Sequence, residues 1–187
     1  YSSGIEIISN TEIAGWRQTA GWANNQRMYF VAQFSKPFNG YGLNLAGQIS
    51  DEKEKVEGTD IKAYFKYNLE KGDEVLIKVG LSAVSIEGAR ENLNSENSGW
   101  DFNGIKMQAR EKWNTILGKI NVETKSKDDK TVFYTALYHS FLAPNVYNDV
   151  NGNYRGMDQE IHKSDRNIYT VFSLWDTYRA AHPLYTI

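Results

Sequence analysis

The sequence predicts an α+β protein: a β-sandwich, present in part, followed by a helical second half. Three features predict it. Short β-rich runs separated by Gly, Asn, Pro and charged clusters fill the first 85 residues. After about residue 96 the apolar period changes from two to alternating steps of three and four. Hydrophobic residues make up 41% and charged residues 24% of the 187, the balance of a chain that buries a core.

In chain order, GIEIIS (4 to 9), MYFVAQFS (28 to 35), IKAYFKYN (61 to 68) and DEVLIKVGLSAV (73 to 84) read as strands. Ala63, Phe65 and Tyr67 alternate with Lys62, Tyr64 and Lys66, which is the period of a half-buried strand. MYFVAQFS is apolar on both faces and is expected inside a sheet. DEKEKVEGTD (51 to 60) lacks apolar spacing and reads as a solvated loop. Phe102, Ile105, Ala109, Trp113, Ile116 and Ile120 then form one stripe of an amphipathic helix. TVFYTALYHSFLAP (131 to 144) is apolar or aromatic nearly all round, a helix expected to be enclosed by others and ended by Pro144.

Ser98 to Asp101, Ser126 to Asp129 and Ser173 to Asp176 each fit a capping box, in which the Ser hydroxyl and the carboxylate satisfy helix-end N–H groups reciprocally. Arg179, three residues after Asp176, is placed for an ion pair with it. Asn151-Gly152 is a type I′ hairpin signal.

The net charge of −2, with acids and bases interspersed, leaves no basic face for a phosphate backbone and argues against nucleic acid as a partner. There is no cysteine, so disulfides, thiol catalysis and Cys-based zinc sites are excluded. No run of 18 apolar residues could span a bilayer, and YSSGIEIISN lacks the basic start and apolar middle of a signal peptide. The aromatic content of 13% suits both cores and sugar-facing surfaces.

Few motifs carry chemistry. With Gly152 placed at the glycine of an EF-hand loop, Asp149, Asn151 and Asp158 fall at ligand positions, but the first position is Tyr147 and the template fails. His139, His162 and His182 are too scattered for a local metal motif, and His139 reads as a packing residue. Asp158, Glu160, Asp165 and Asp176 are the carboxylates available for a glycosidase pair, whose separation sequence cannot give.

The stretches YTALYHSFLAPNVYNDVNGNYRGMDQEIH (134 to 162) and YTVFSLWDTYRAAHPL (169 to 184) closely resemble the calcium-dependent α-mannosidases of glycoside hydrolase family 92. AGWRQTAGWANNQRMYFVAQFSKPF (14 to 38) and IKVGLSAVSIEGARENLN (77 to 94) resemble that family's N-terminal domain in the same order. The resemblance implies a sandwich domain over 1–95, a linker helix over 96–125 and, over 126–187, the first helices of an (α/α)6 barrel. It implies an inverting exo-mannosidase acting on terminal α-mannosides of glycans outside the cytoplasm, periplasmic or extracellular, with Ca²⁺ as cofactor. The general acid, general base and calcium ligands are expected beyond Ile187, so the chain is expected to be inactive without the remaining part of the barrel. Asp176, matching the Trp-Asp-Thr block, is expected to face the sugar, with Trp175 as an apolar wall and Arg155 and Asp158 of YRGMD as further substrate contacts. The residues alone leave a second reading, a non-catalytic carbohydrate-binding sandwich with helical appendages.

Overall fold

The computed structural model describes residues 1–21 and 23–187. Trp22, inside one of the resembling stretches, lies outside the described residues. The chain forms two compact units, one of residues 1–100 with 147–168, the other of 101–146 with 169–187.

The first unit is built on β1 (Ser2–Ser9), β2 (Glu12–Thr19), β3 (Gln26–Phe34), β6 (Lys55–Gly58) and β8 (Ile77–Ser82), which form one sheet in the order β6-β1-β2-β3-β8. Strands β4 (Gly40–Leu45), β5 (Gln48–Ser50) and β7 (Ile61–Lys66) form a second, in the order β5-β4-β7. Every pairing in the two sheets is antiparallel. Ile13, Ala32 and Phe34 of the first sheet meet Tyr41 and Phe65 of the second across an aromatic core with Phe38 and Tyr67. The Phe38 and Phe65 rings are 4.9 Å apart, a tilted pairing that suits their quadrupoles.

Because side chains alternate across a strand, Ala14 and Val31 project from the opposite face of the first sheet. There they pack on Ala89 and Leu93 of α1 (Ile86–Glu96). Ser85 caps this helix by accepting from the Gly88 N–H at 3.0 Å. Arg90 reaches back to Glu12 on β2 with an Nη2 to Oε1 distance of 2.8 Å. α1 lies in a stretch that the strand and helix patterns leave unassigned; its signal is short, one cap plus the Ile86, Ala89, Leu93 spacing.

Three expectations about the strands meet different outcomes. MYFVAQFS is an interior strand, β3, paired on both sides. In β7, Lys62, Tyr64 and Lys66 are exposed while Ala63 and Phe65 are partly buried, as the alternation predicts. The solvated-loop reading of 51 to 60 is corrected: Lys55–Gly58 is β6, because Val56 drops into the core and its backbone completes the ladder with β1.

Strand β8 inverts the usual burial. Lys78, Gly80 and Ser82 are buried, while Ile77, Val79 and Leu81 are exposed on the face that β3 commits to the sandwich core. Lys78 is satisfied at α1's C-terminal end, where its Nζ donates to the Asn97 and Ser98 carbonyls, each at 3.1 Å, and lies over the Trp100 ring.

In the second unit, α2 (Phe102–Leu117) and α3 (Lys127–Ser140) are joined by Trp113 against Tyr138, with ring centroids 4.5 Å apart, and by the Tyr134 hydroxyl donating to the Ile120 carbonyl at 2.9 Å. α3 buries only Leu137, and its Val132 is exposed, as are Phe102 and Met107 of α2. The capping expectations divide. Ser126 caps α3 by accepting from the Asp129 N–H at 3.1 Å. The Ser98 box is corrected: Asp101 itself is the cap of α2 and accepts from the Gly104 N–H at 2.9 Å. His139, read as a packing residue, is exposed.

At Gly80 the helix backbone comes so close that an added Cβ would press into the Ala89 carbonyl oxygen and lie 2.6 Å from Leu93 Cβ. Gly80→Ala is therefore expected to cost about 1–3 kcal/mol of stability, read as a lower denaturant midpoint with unchanged slope.

Candidate functional site

Residues 147–168 belong to the first unit as a polar loop around β9 (Asn153–Arg155) and β10 (Ile161–Lys163). The predicted two-residue hairpin turn at Asn151-Gly152 is corrected. Only Gly152 of the pair has a positive φ, of 86°, and its N–H closes a turn onto the Asp149 carbonyl at 2.8 Å. The strands connect instead through 156–160, one turn later, because a type I′ turn needs two positive φ values and Asn151 does not supply one.

Asp149, considered in sequence only as an EF-hand ligand, is 2% exposed and holds this loop in place. Its Oδ2 accepts from the Ser82 hydroxyl at 2.7 Å and its Oδ1 from Asn92 Nδ2 at 2.8 Å. Asn92 Oδ1 in turn accepts from the Val150 N–H at 2.8 Å. Gly88 leaves room for the carboxylate, since a Cβ there would collide with Asp149 Oδ2. No periodicity or motif marks these partners, which are 57 and 67 residues away in sequence.

Arg155 is a second anchor. Its Nε donates to the Ala83 carbonyl at 3.0 Å, Nη1 to the Gln159 carbonyl at 2.8 Å and Nη2 to the Val84 carbonyl at 3.3 Å. Three of five guanidinium N–H groups are thus committed to backbone carbonyls. Asp158 does not pair with Arg155; it bonds His162 Nε2 at 2.9 Å and accepts from the Glu160 N–H at 3.1 Å. Those bonds, the Glu160 N–H first and His162 next, hold the Asp158 carboxyl below its ordinary value. Burial pushes the Tyr147 phenol above its ordinary value, with the Arg155 charge opposing it, so this ring stays neutral beside the anchor.

Trp175 and Asp176 belong to the other unit, on the single-turn helix α4 (Leu174–Thr177), followed by α5 (Ala181–Leu184). Trp175 is 86% exposed. The capping box at Ser173 is corrected: Ser173 is the cap residue but makes no side-chain cap bond, and a helix of four residues offers its box little to close on. Arg179 is not paired with Asp176 either, but donates from Nε to the Tyr178 hydroxyl at 2.7 Å. Among the described residues the Asp176 carboxylate takes part in no hydrogen bond or ion pair, and both of its oxygens are open to a donor. The residues on either side of α4 are tied down by Tyr185, whose hydroxyl donates to the Ala143 carbonyl at 2.9 Å and whose ring stacks on Phe172.

The four expected substrate contacts therefore divide, Arg155 and Asp158 on the loop of the first unit and Trp175 and Asp176 on the second. None of them lines the open polar hollow of about 480 Å³ bounded by Asn148, Lys163, Asp165 and Arg166. Among the described residues no three His, Asp or Glu side chains converge as a metal-holding group.

Residues 88–187 match the family model described as the glycosyl hydrolase family 92 catalytic domain, and residues 1–82 match the family 92 N-terminal domain. The chain belongs to glycosyl hydrolase family 92. This family 92 chain superposes on the GH92 α-mannosidase BT3965 of Bacteroides thetaiotaomicron with a TM-score of 0.90 and 34% identity, covering 98% of this chain and 26% of that one. It superposes equally on the GH92 inverting mannosidase BT2199 of Bacteroides thetaiotaomicron VPI-5482, with a TM-score of 0.90, 30% identity, and coverage of 99% and 26%. An uncharacterized secreted glycosidase of Arthroderma benhamiae is 31% identical over 81 residues, 41% of this chain and 10% of that protein. The chain thus spans about a quarter of the length of the two solved mannosidases.

The lowered carboxyl of Asp158 makes a pH-dependent contribution to the loop. A group whose folded value lies below its unfolded value of 3.8 stabilises above pH 3.8 and loses that contribution as pH falls through the folded value. Asp158→Asn is therefore expected to lower the melting temperature near neutral pH, and the gap to wild type should close on acidification below the ordinary carboxylate range.

Proposed function

We propose that this chain is the sugar-orienting N-terminal part of an inverting, calcium-dependent exo-α-mannosidase that removes terminal α-mannosides from glycans. Asp176 carries the reading. It is an exposed carboxylate with no protein partner among the described residues, next in sequence to an exposed indole, on a chain that superposes along nearly its whole length on two mannosidases. A carboxylate so placed can accept from two adjacent sugar hydroxyls, one per oxygen, and such charge-assisted bonds fix the orientation of the ring. Trp175 supplies an apolar face for the sugar's C–H surface. On the loop of the other unit, taken by itself, Arg155 and Asp158 offer polar groups to a glycan.

The acid and base of an inverting hydrolysis must flank the scissile bond at a separation that leaves room for water. In this reading they, the calcium ligands and the other helices of an (α/α)6 barrel come from residues outside these 187, and Asp176 binds and orients without moving a proton. The inverting character of BT2199 supports the stereochemistry. The binding of mannoimidazole by BT3965 supports a mannose-shaped site. The secreted relative supports a periplasmic or extracellular location, and no described helix is long and apolar enough to cross a membrane.

In the full-length protein carrying this segment, Asp176→Asn is expected to lower kcat/KM for an α-mannoside by about two to three orders of magnitude. The melting temperature should stay at the wild-type value, because no cap bond is lost. Normal activity with a lowered melting temperature would return Asp176 to a structural role. Mannose release should be abolished by a chelator and restored by Ca²⁺; binding of mannose without any release would favour the non-catalytic sandwich.

A further inference from the structure

We propose that Asp149 is a positioning residue for the sugar contacts carried by the 147–168 loop, a role that rests on Arg155 and Asp158 touching the mannoside. The direction of its hydrogen bonds carries the argument. Ser82 Oγ already accepts from the Val84 and Ser85 N–H groups, at 2.9 and 3.2 Å. Both acceptor positions of the hydroxyl are thereby filled, and its proton can only be given to Asp149. Asn92 is oriented in the same way. Its Oδ1 is held by the Val150 N–H, so its NH₂ must face Asp149 and the Leu81 carbonyl, each at 2.8 Å.

Both partners are therefore donors that cannot reverse, and the buried group between them must accept on both oxygens. A carboxylate does so; an amide of the same shape places an N–H against a donor whichever way it is turned. Asp149 is thus the group through which β8, α1 and the loop share a single register. Arg155 lies six residues along the loop, and its Ala83 and Val84 acceptors follow directly on Ser82. A shift at Asp149 therefore moves the anchor of Arg155, and with it the turn at 156–160 that bears Asp158.

The test uses the full-length protein and steady-state hydrolysis of an α-mannoside. Asp149→Asn is expected to raise KM by about tenfold with kcat within about twofold of wild type, because a displaced loop loses contacts made equally in ground and transition states. Ser82→Ala, which removes one donor without creating a clash, should move KM in the same direction by less, and it decides the matter if the Asp149→Asn variant does not fold. Leu43→Ala, fully buried on β4 of the second sheet of the same unit, should lower the melting temperature and leave KM unchanged. Asp158→Ala separates the two layers of the argument. If it raises KM while Asp149→Asn and Ser82→Ala leave KM at the wild-type value, the positioning role is overturned and the sugar contact stands. If Asp158→Ala itself leaves KM unchanged, the loop's sugar contact through Asp158 fails and the positioning role fails with it, while the reading of Asp176 is judged by its own variant.

Discussion

One buried carboxylate decides how this chain is put together. Residues 147–168 interrupt the helical unit in sequence, yet they fold onto the sandwich unit because Asp149 finds two fixed donors there, on β8 and α1. Burying a carboxylate costs several kcal/mol unless its oxygens are satisfied, so each of these bonds helps to hold the loop on the sandwich unit. The inverted burial of β8 follows from the same constraint. Its Gly80 and Ser82 must face α1, one to let the helix approach and the other to donate, and the strict alternation of a strand then turns Ile77, Val79 and Leu81 the other way.

The legible part of the fold was the part that repeats. The two-residue alternation of β7 and the doubly apolar run of β3 appear in the structure as the sequence describes them, since burial acts on every residue of a strand. The unread parts depend on single contacts. β6 rests on one valine inside a charged run, and charge density masked it. α1 is short and half polar because it packs against a glycine and shelters Asn92, so its stripe is thin. The Ser-x-x-Asp spacing recurs three times, but the serine closes a cap bond only at Ser126, whereas at residue 101 the aspartate itself caps and at 173 the helix is a single turn.

The same distinction governs the candidate site. Family membership was legible in the blocks around YRGMD and SLWDTYRA, and the catalytic-domain match covers both. What those blocks do was not. Arg155 spends most of its donors on backbone and Asp158 is engaged with His162, so the two read as a loop framework with spare capacity rather than as a free pair. Asp176 is the reverse case. Sequence offered it a cap and an ion pair, and the structure gives it neither, leaving a carboxylate whose charge is unused among the described residues.

The most direct measurement is a structure of the full-length protein with a mannose-shaped inhibitor bound. The account predicts the two Asp176 oxygens at about 3 Å from adjacent ring hydroxyls, with the Trp175 ring against the sugar. An Asp176 side chain bonded to protein groups and out of hydrogen-bond reach of the ligand would contradict it.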